Sequence, residues 1–144
     1  MWGDPSLYDS TLRIVERVIA RGAVDLEYEV VPGITAVQAL TARHRIVLNR
    51  VGEPVTITTG RRLAGMPAGQ DDVVVMLDGE EAFRAVDGDD VDIWWGAYLG
   101  TPDEVLRAGR LADVRDDISA TRAEARARKG WIMDTYLLRR RTNG

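Results

Sequence analysis

A chain of 144 residues with a hydrophobic share of 45% and a charged share of 29% is long enough to bury one domain-sized core and too apolar for a disordered segment. It has no Cys, which excludes disulfides, zinc–thiolate sites and cysteine nucleophiles; it shows no secretion signal and no apolar run near the ~18 residues of a membrane span, so the sequence points to the cytoplasm. The net charge of −4 argues against non-specific nucleic-acid binding, although residues 71–92 hold nine acids against Arg84 and residues 115–144 hold eight bases against four acids.

Gly3-Asp4-Pro5 opens the chain as turn punctuation, with Pro5 biasing Asp4 toward an extended backbone. In "STLRIVERVIARG", Leu12, Val15, Val18 and Ile19 recur at helical spacing, with Asp9 or Ser10 as cap and Gly22 at the end. "VDLEYEVVPG" predicts a strand over 25–31, closed by Pro32-Gly33. "ITAVQALTARH" predicts a helix with Ile34, Val37 and Leu40 on one face. Two short β-like stretches follow, "HRIVLN" and "EPVTITTG", and then a loop, "RRLAGMPAGQ".

"DDVVVMLDG" is a continuous apolar run bounded by acids and Gly, the pattern of a strand buried on both faces. "EEAFRAVD" predicts a short helix, and "VDIWWGAYLGTPDE" a strand leading into a Gly-containing turn. "DISATRAEARARKG" predicts a helix closed by Gly130, and "WIMDTYLLRRR" a last strand with a basic tail. This alternation indicates an α/β protein with flanking helices on a parallel or mixed sheet.

Ordinary catalytic constellations are poorly represented. His44 is the single histidine, and its place at a helix end suits a surface or capping residue better than a catalytic one. No P-loop, dinucleotide-binding or zincin motif is present. Asp89, Asp90 and Asp92 read as a solvated loop rather than a metal site, and Arg139-Arg140-Arg141 as an isolated basic run. What remains is a set of strand-to-helix junctions rich in small and turn residues: Gly3-Asp4-Pro5, Pro32-Gly33-Ile34-Thr35-Ala36, Met76-Leu77-Asp78-Gly79 and Gly96-Ala97-Tyr98-Leu99-Gly100-Thr101. Ligands of open α/β sheets bind at the carboxyl ends of strands, where glycine admits close backbone approach.

Taken in this order, the junctions resemble the tetrapyrrole methylases, which alkylate corrin and sirohaem precursors. "WGDPSLY" is similar to that family's strand-GDP turn, and "EYEVVPGITAVQAL" to its strand-PGI[ST]-helix motif. Within the family, "VVVMLDGEEAF", "WWGAYLGTPDE" and above all "TRAEARARKGWIMDTYLLRR" resemble the deacetylating precorrin-6A synthases, and the resemblance runs through essentially the whole chain. Family members begin with a lobe whose first strand ends in a glycine-rich loop, which this sequence lacks. The resemblance therefore implies the C-terminal part of such an enzyme. Residues 1–46 correspond to the end of the N-terminal lobe and residues 47–144 to a C-terminal α/β lobe.

That resemblance implies an S-adenosylmethionine-dependent C-methyltransferase of cobalamin biosynthesis, truncated and incomplete as written, which methylates a precorrin and releases acetate. It implies a homodimer with no metal, nucleic-acid or membrane partner. The positions matching the family's cofactor segments are Trp2, Gly3, Asp4 and Leu7; Thr35 and Ala36; and, from the C-terminal lobe, Met76, Leu77 and Gly100. The residue types suit the role. Asp4 is an acceptor for a hydroxyl or amino group, and Thr35 and Ala36 stand at a helix N-terminus with its unpaired amides. Leu77 and Gly100 offer an apolar wall and close backbone approach, although Leu77 fits plain core packing equally well. A polycarboxylate substrate calls for arginine, and Arg43, Arg45, Arg61 and Arg62 follow the relevant junctions. No residue stands out as a general base. An alternative is a non-catalytic oligomerisation or binding module derived from the family, with Trp94, Trp95, Tyr98 and Trp131 serving packing or partner contact.

Overall fold

The computed structural model describes residues 10–22, 24–63, 65–66 and 68–142. The chain separates into two compact units, Met1–Ala36 and Val37–Gly144.

In the first unit, helix α1 (Thr11–Ala20) forms where the apolar stripe predicts it. Ser10 takes the N-cap position without a side-chain cap bond; Asp9 lies outside the described residues. Gly22 follows with φ +64°, the left-handed conformation common after a helix end. No residue of α1 is buried. The stretch 25–31, expected as a strand, carries no regular secondary structure. A strand persists only in a ladder, and no described strand pairs with it. Its β-formers Leu26, Tyr28, Val30 and Val31 are exposed.

Helix α2 (Ala36–His44) buries Val37 and Leu40, whereas Ile34, expected on the same face, precedes the helix and is 84% exposed. At its end Ile46 N–H donates to Thr41 O at 3.0 Å and Arg45 N–H to Ala42 O at 3.2 Å. This is the paired C-terminal bonding that usually recruits glycine; here Arg45 adopts φ +57° in its place.

The second unit is built on a five-stranded sheet in the order β1-β2-β5-β3-β4. Its strands are β1 (Thr56–Thr59), β2 (Asp72–Met76), β3 (Val91–Ala97), β4 (Val105–Arg110) and β5 (Asp134–Arg140). Only β1 and β2 run parallel; the other neighbours are antiparallel, which gives the mixed sheet expected. Strand β2 is buried along its whole length, as its unbroken apolar run predicts.

Helix α3 (Leu111–Lys129) covers one face through Leu111, Ile118 and Ala125. These pack in one core with Val73, Val75, Ile93, Trp95, Tyr136 and Leu138. On the other face Val74 and Leu137 are fully buried. There α2 approaches so closely that a Cβ on Gly96 would stand 3.0 Å from Leu40 Cδ1.

The second unit departs from the sequence reading at four further places. "HRIVLN" is not a strand: the carbonyls of Val47 and Leu48 accept from Arg139 Nη2 at 2.9 and 3.1 Å, so a guanidinium serves backbone that a ladder would otherwise satisfy. "EEAFRAVD" reduces to a single 3-10 turn, Ala82–Ala85, whose Phe83 packs edge-on to Tyr136 at 5.5 Å. Helix α3 begins at Leu111 rather than Asp117, with Arg110 and Asp113 paired at 2.8 Å across its first turn. Strand β4 was not expected, because its half-exposed edge carries Arg107, Gly109 and Arg110, which obscure a β pattern.

Strand β5 also brings the basic run beside the acidic stretch. Arg139 pairs with buried Asp72, Arg140 with Asp71 at 3.5 Å and Arg141 with Asp92 at 3.9 Å. The sequence asymmetry of charge is thus matched within the sheet. Among the described residues no helix is long and apolar enough to cross a membrane, and no group of three His, Asp or Glu side chains is placed to hold a metal ion.

Candidate functional site

Strands β2 and β3 end, and β5 begins, at one edge of the sheet, where the register sets Met76 against Thr135 and Thr135 against Gly96. Beyond that edge three non-glycine residues adopt left-handed backbone: Leu77 (φ +52°), Glu81 (+58°) and Tyr98 (+51°). Such conformations cost on the order of 1–3 kcal/mol each and gather at ligand clamps and active sites. Leu77 is 59% exposed, so it is not a core residue.

Two hollows meet at the turn Leu77-Asp78-Gly79. The larger, about 360 Å³, lies between this turn, the last turn of α3 and the start of β5, with Arg122, Arg126, Trp131, Met133 and Asp134 in its lining. Its volume falls in the range of small-molecule sites, roughly 300–1,000 Å³. The smaller, about 220 Å³, adds Arg61 and Glu80.

A buried polar network underlies both. The Asp78 carboxylate accepts the Glu80 N–H at 3.1 Å, the Ala82 N–H at 2.7 Å and the Tyr136 O–H at 2.6 Å, and the Asp78 carbonyl accepts from Arg122 Nη2. Arg122 Nε donates to Asp134 Oδ2 at 2.9 Å, and Trp95 Nε1 donates to the same oxygen at 2.8 Å. Arg122 Nη1 stands 3.6 Å from Glu81 Oε1.

Burial raises the Asp134 pKa, against the opposing pull of Arg122 and Trp95. Burial, then the neighbouring Asp78, pushes the Tyr136 phenol well above its ordinary range. At Arg122 burial works against the charge, but the bond and charge of Asp134 outweigh it and the pKa is raised.

A second cluster forms at the β3–β4 turn. The Gly100 N–H donates to Glu104 Oε2 at 2.8 Å, and Glu104 Oε1 pairs with Arg43 at 2.5 Å. The Gly100 amide, then Arg43, holds the Glu104 carboxyl below its usual value against a partial desolvation penalty. His44 Nε2 lies 3.0 Å from the Trp95 carbonyl, a bond in which the ring nitrogen donates and ties α2 to β3.

The expected site residues are distributed accordingly. Trp2, Gly3, Asp4 and Leu7 lie outside the described residues. Thr35 and Ala36 stand at the start of α2. Met76 is 6% exposed and lies inside the sheet, behind Leu77. Gly100, at φ +77°, has open space where a Cβ would project, but its amide is engaged by Glu104. Of the arginines, Arg61 lines the smaller hollow beside Leu77. Arg43 is committed to Glu104, Arg45 terminates α2, and Arg62 is exposed beside Arg61. The four aromatics form no exposed cluster: Trp95 and Tyr98 are core, Trp94 lies under the Arg139 guanidinium at 5.3 Å, and Trp131 is 43% exposed and edge-on to Tyr98.

The model of the family described as Tetrapyrrole (Corrin/Porphyrin) Methylases matches residues 1–115. The chain belongs to the tetrapyrrole methylases. It is 62% identical over 141 residues to precorrin-6A synthase [deacetylating] of Sinorhizobium sp, covering 97% of this chain and 54% of that enzyme. It therefore spans about half the length of the curated relative it matches. A crystal structure of a cobalamin synthesis related protein (CobF) from Corynebacterium diphtheriae superposes with TM-score 0.92 at 46% identity, covering 99% of this chain and 60% of that one. A uroporphyrin-III C-methyl transferase from Thermus thermophilus, complexed with S-adenyl homocysteine, superposes with TM-score 0.60 at 20% identity over 94% of this chain and 62% of that one. At that identity the likeness establishes the fold alone.

Within this methylase lobe, the residues that sequence reasoning passed over are Arg122, Arg126 and Asp134; Asp78 was named only as part of the junction after β2. Two of them carried a signal. Arg122 occupies the stripe of Leu111, Ile118 and Ala125, a core position that an arginine takes only with buried partners. Asp134 opens a strand whose next four residues are all buried, and a carboxylate there needs donors.

Proposed function

We propose that this chain is the C-terminal part of an S-adenosylmethionine-dependent methyltransferase that acts on a precorrin in cobalamin biosynthesis, methylating a ring carbon and releasing an acetyl group as acetate. The observation that carries this reading is the 62% identity to a deacetylating precorrin-6A synthase. Its geometric support is Leu77, an exposed leucine in left-handed backbone at the carboxyl end of β2, where α/β folds place ligands. The first unit exposes Val24, Leu26, Tyr28, Val30 and Ile34, surface of the kind that further polypeptide covers.

The residues present suit a flat apolar ligand in part. Leu77 supplies a wall and Gly100 an unobstructed Cα face, while Met76 acts from behind. When bound, the cofactor supplies a methyl group on a sulfonium, and such transfer depends on in-line placement more than on an acid–base pair. Thr35 and Ala36, with the first-turn amides of α2, are suited to polar ligand atoms. The enzyme is read as a cytoplasmic homodimer.

The test combines this chain with the remaining N-terminal share of the Sinorhizobium relative and supplies a radiolabelled methyl donor with the precorrin. Label is expected in the tetrapyrrole together with free acetate, and Leu77→Asp is expected to abolish both. Label that stays on the donor, with both pieces folded and associated, overturns the reading.

A further inference from the structure

Leu77 is held in left-handed backbone at φ +52° while 59% exposed, so its own packing does not fix it there. A residue with a Cβ keeps that conformation only where its surroundings over-determine it. On one side Met76 is set by the sheet, opposite Thr59 of β1 and Thr135 of β5. One step further along that register Leu77 would oppose Asp134, but β2 has ended. On the other side Asp78 fixes the turn from within, its carboxylate accepting the Glu80 and Ala82 amides.

Arg122 ties this turn to the rest of the lobe. Its Nη2 donates to the Asp78 carbonyl, its Nε donates to Asp134 Oδ2 at 2.9 Å, and its Nη1 stands 3.6 Å from Glu81 Oε1. One guanidinium from α3 thus grips the turn at two points and β5 at its first residue. The Tyr136 O–H also reaches Asp78, but at the carboxylate and from β5 alone. The Arg122 side chain is 6% exposed, in the stripe that packs α3 on the sheet. A well-packed apolar residue often serves stability there as well as a buried ion pair does. It cannot supply a planar fork that holds three oxygens in fixed relation.

We infer that Arg122 is a positioning residue: it clamps the turn 77–81 to α3 and β5 and so keeps Leu77 in the left-handed conformation that presents it to a ligand. Its three nitrogens are turned to protein oxygens, so it acts through Leu77 rather than on the ligand itself. The inference rests on the methylase reading for the identity of that ligand, S-adenosylmethionine.

The first measurement needs no ligand. In the isotopically labelled chain, the Cα and Cβ shifts of Leu77 report its backbone conformation by NMR. Arg122→Met is expected to move them out of the left-handed range. Arg122→Lys keeps a point charge but not the fork; it is expected to move them part of the way, and it decides the matter if Arg122→Met does not fold. Leu138→Ala, a core change outside the clamp, is expected to leave them in place. Unchanged Leu77 shifts in the Arg122 variants overturn the clamp.

S-adenosylhomocysteine is then titrated into the chain combined with the N-terminal share of the Sinorhizobium relative. Leu77→Gly and Arg122→Met are each expected to weaken it by about tenfold. The double variant is expected to bind no more weakly than either alone, because the second change removes a contact already lost. Losses that multiply to about a hundredfold show Arg122 acting by another route and overturn the inference. An equal loss in Leu138→Ala overturns it too, since affinity would then follow stability alone. A parent that takes no S-adenosylhomocysteine removes the cofactor reading instead, and the Leu77 shifts still decide the clamp.

Discussion

A Cβ on Gly60 would overlap the carboxylate of Asp78, with the Asp78 Cβ itself only 2.8 Å away. The end of β1 therefore presses directly on the turn that follows β2, and Asp78 cannot retreat, because its oxygens hold Glu80, Ala82 and Tyr136. Gly60→Ala is expected to destabilise the chain by about 1–3 kcal/mol, the usual cost of overpacking. The measurement is a urea unfolding curve, and an unchanged midpoint would show that the turn yields freely.

Arg122 and Asp134 form a buried pair with side chains 6% and 4% exposed. Arg122→Met leaves a buried carboxylate with Trp95 alone as donor, at an expected cost of about 3–5 kcal/mol. The cost should depend on pH. Asp134 has a folded-state pKa raised above its ordinary 3.8, so between those values the folded form binds the extra proton and stability falls as pH rises. Without Arg122 that pKa rises further and the window extends upward. The variant should therefore be closer to the parent at pH 5 than at pH 8; an equal deficit at both would refute the assignment.

The elements legible in the sequence were those whose burial pattern is set locally. The run Val73-Val74-Val75 could only be an interior strand, and Gly130 marked the end of α3 by the left-handed turn it makes. The stretch 25–31 has the composition of a strand but no ladder to join among the described residues, a property of its surroundings that no local pattern reports. The site divides the same way. Leu77 and Gly100 are proposed from junctions whose residues are adjacent in sequence. Arg122 and Asp134 were not: Arg122 lies 44 residues from Asp78 and 12 from Asp134, and its pairing with both depends on α3 crossing the sheet.

Glu104 joins the β3–β4 turn to α2, accepting from Gly100 and pairing with Arg43. Glu104→Gln keeps an acceptor for the amide and loses only a pair to an arginine 58% exposed, so the expected cost is under about 1 kcal/mol. Glu104→Ala loses both, at about 1–2 kcal/mol. Because the folded pKa is lowered from 4.5, this contribution is present above 4.5 and lost as pH falls through the folded value. Acid titration of stability in Glu104→Ala should accordingly be shallower than in the parent below pH 4.5, and a parallel slope would remove the carboxylate from the account.

Leu77 separates stability from function. Its left-handed backbone costs roughly 1–2 kcal/mol for a residue with a Cβ, and it is 59% exposed, so little core packing offsets the strain. Leu77→Gly relieves the strain while adding freedom to the unfolded chain worth about 0.5–1 kcal/mol. Stability is therefore expected within about 1 kcal/mol of the parent. Leu138→Ala, at a site with no exposure, should by contrast cost about 2–5 kcal/mol. Burying a leucine against a ligand is worth up to about 1.5–3 kcal/mol, so Leu77→Gly should weaken S-adenosylhomocysteine binding by about tenfold or more in an NMR titration. A variant that is markedly destabilised would return Leu77 to the core. One that binds the ligand as tightly as the parent would remove it from the cofactor wall.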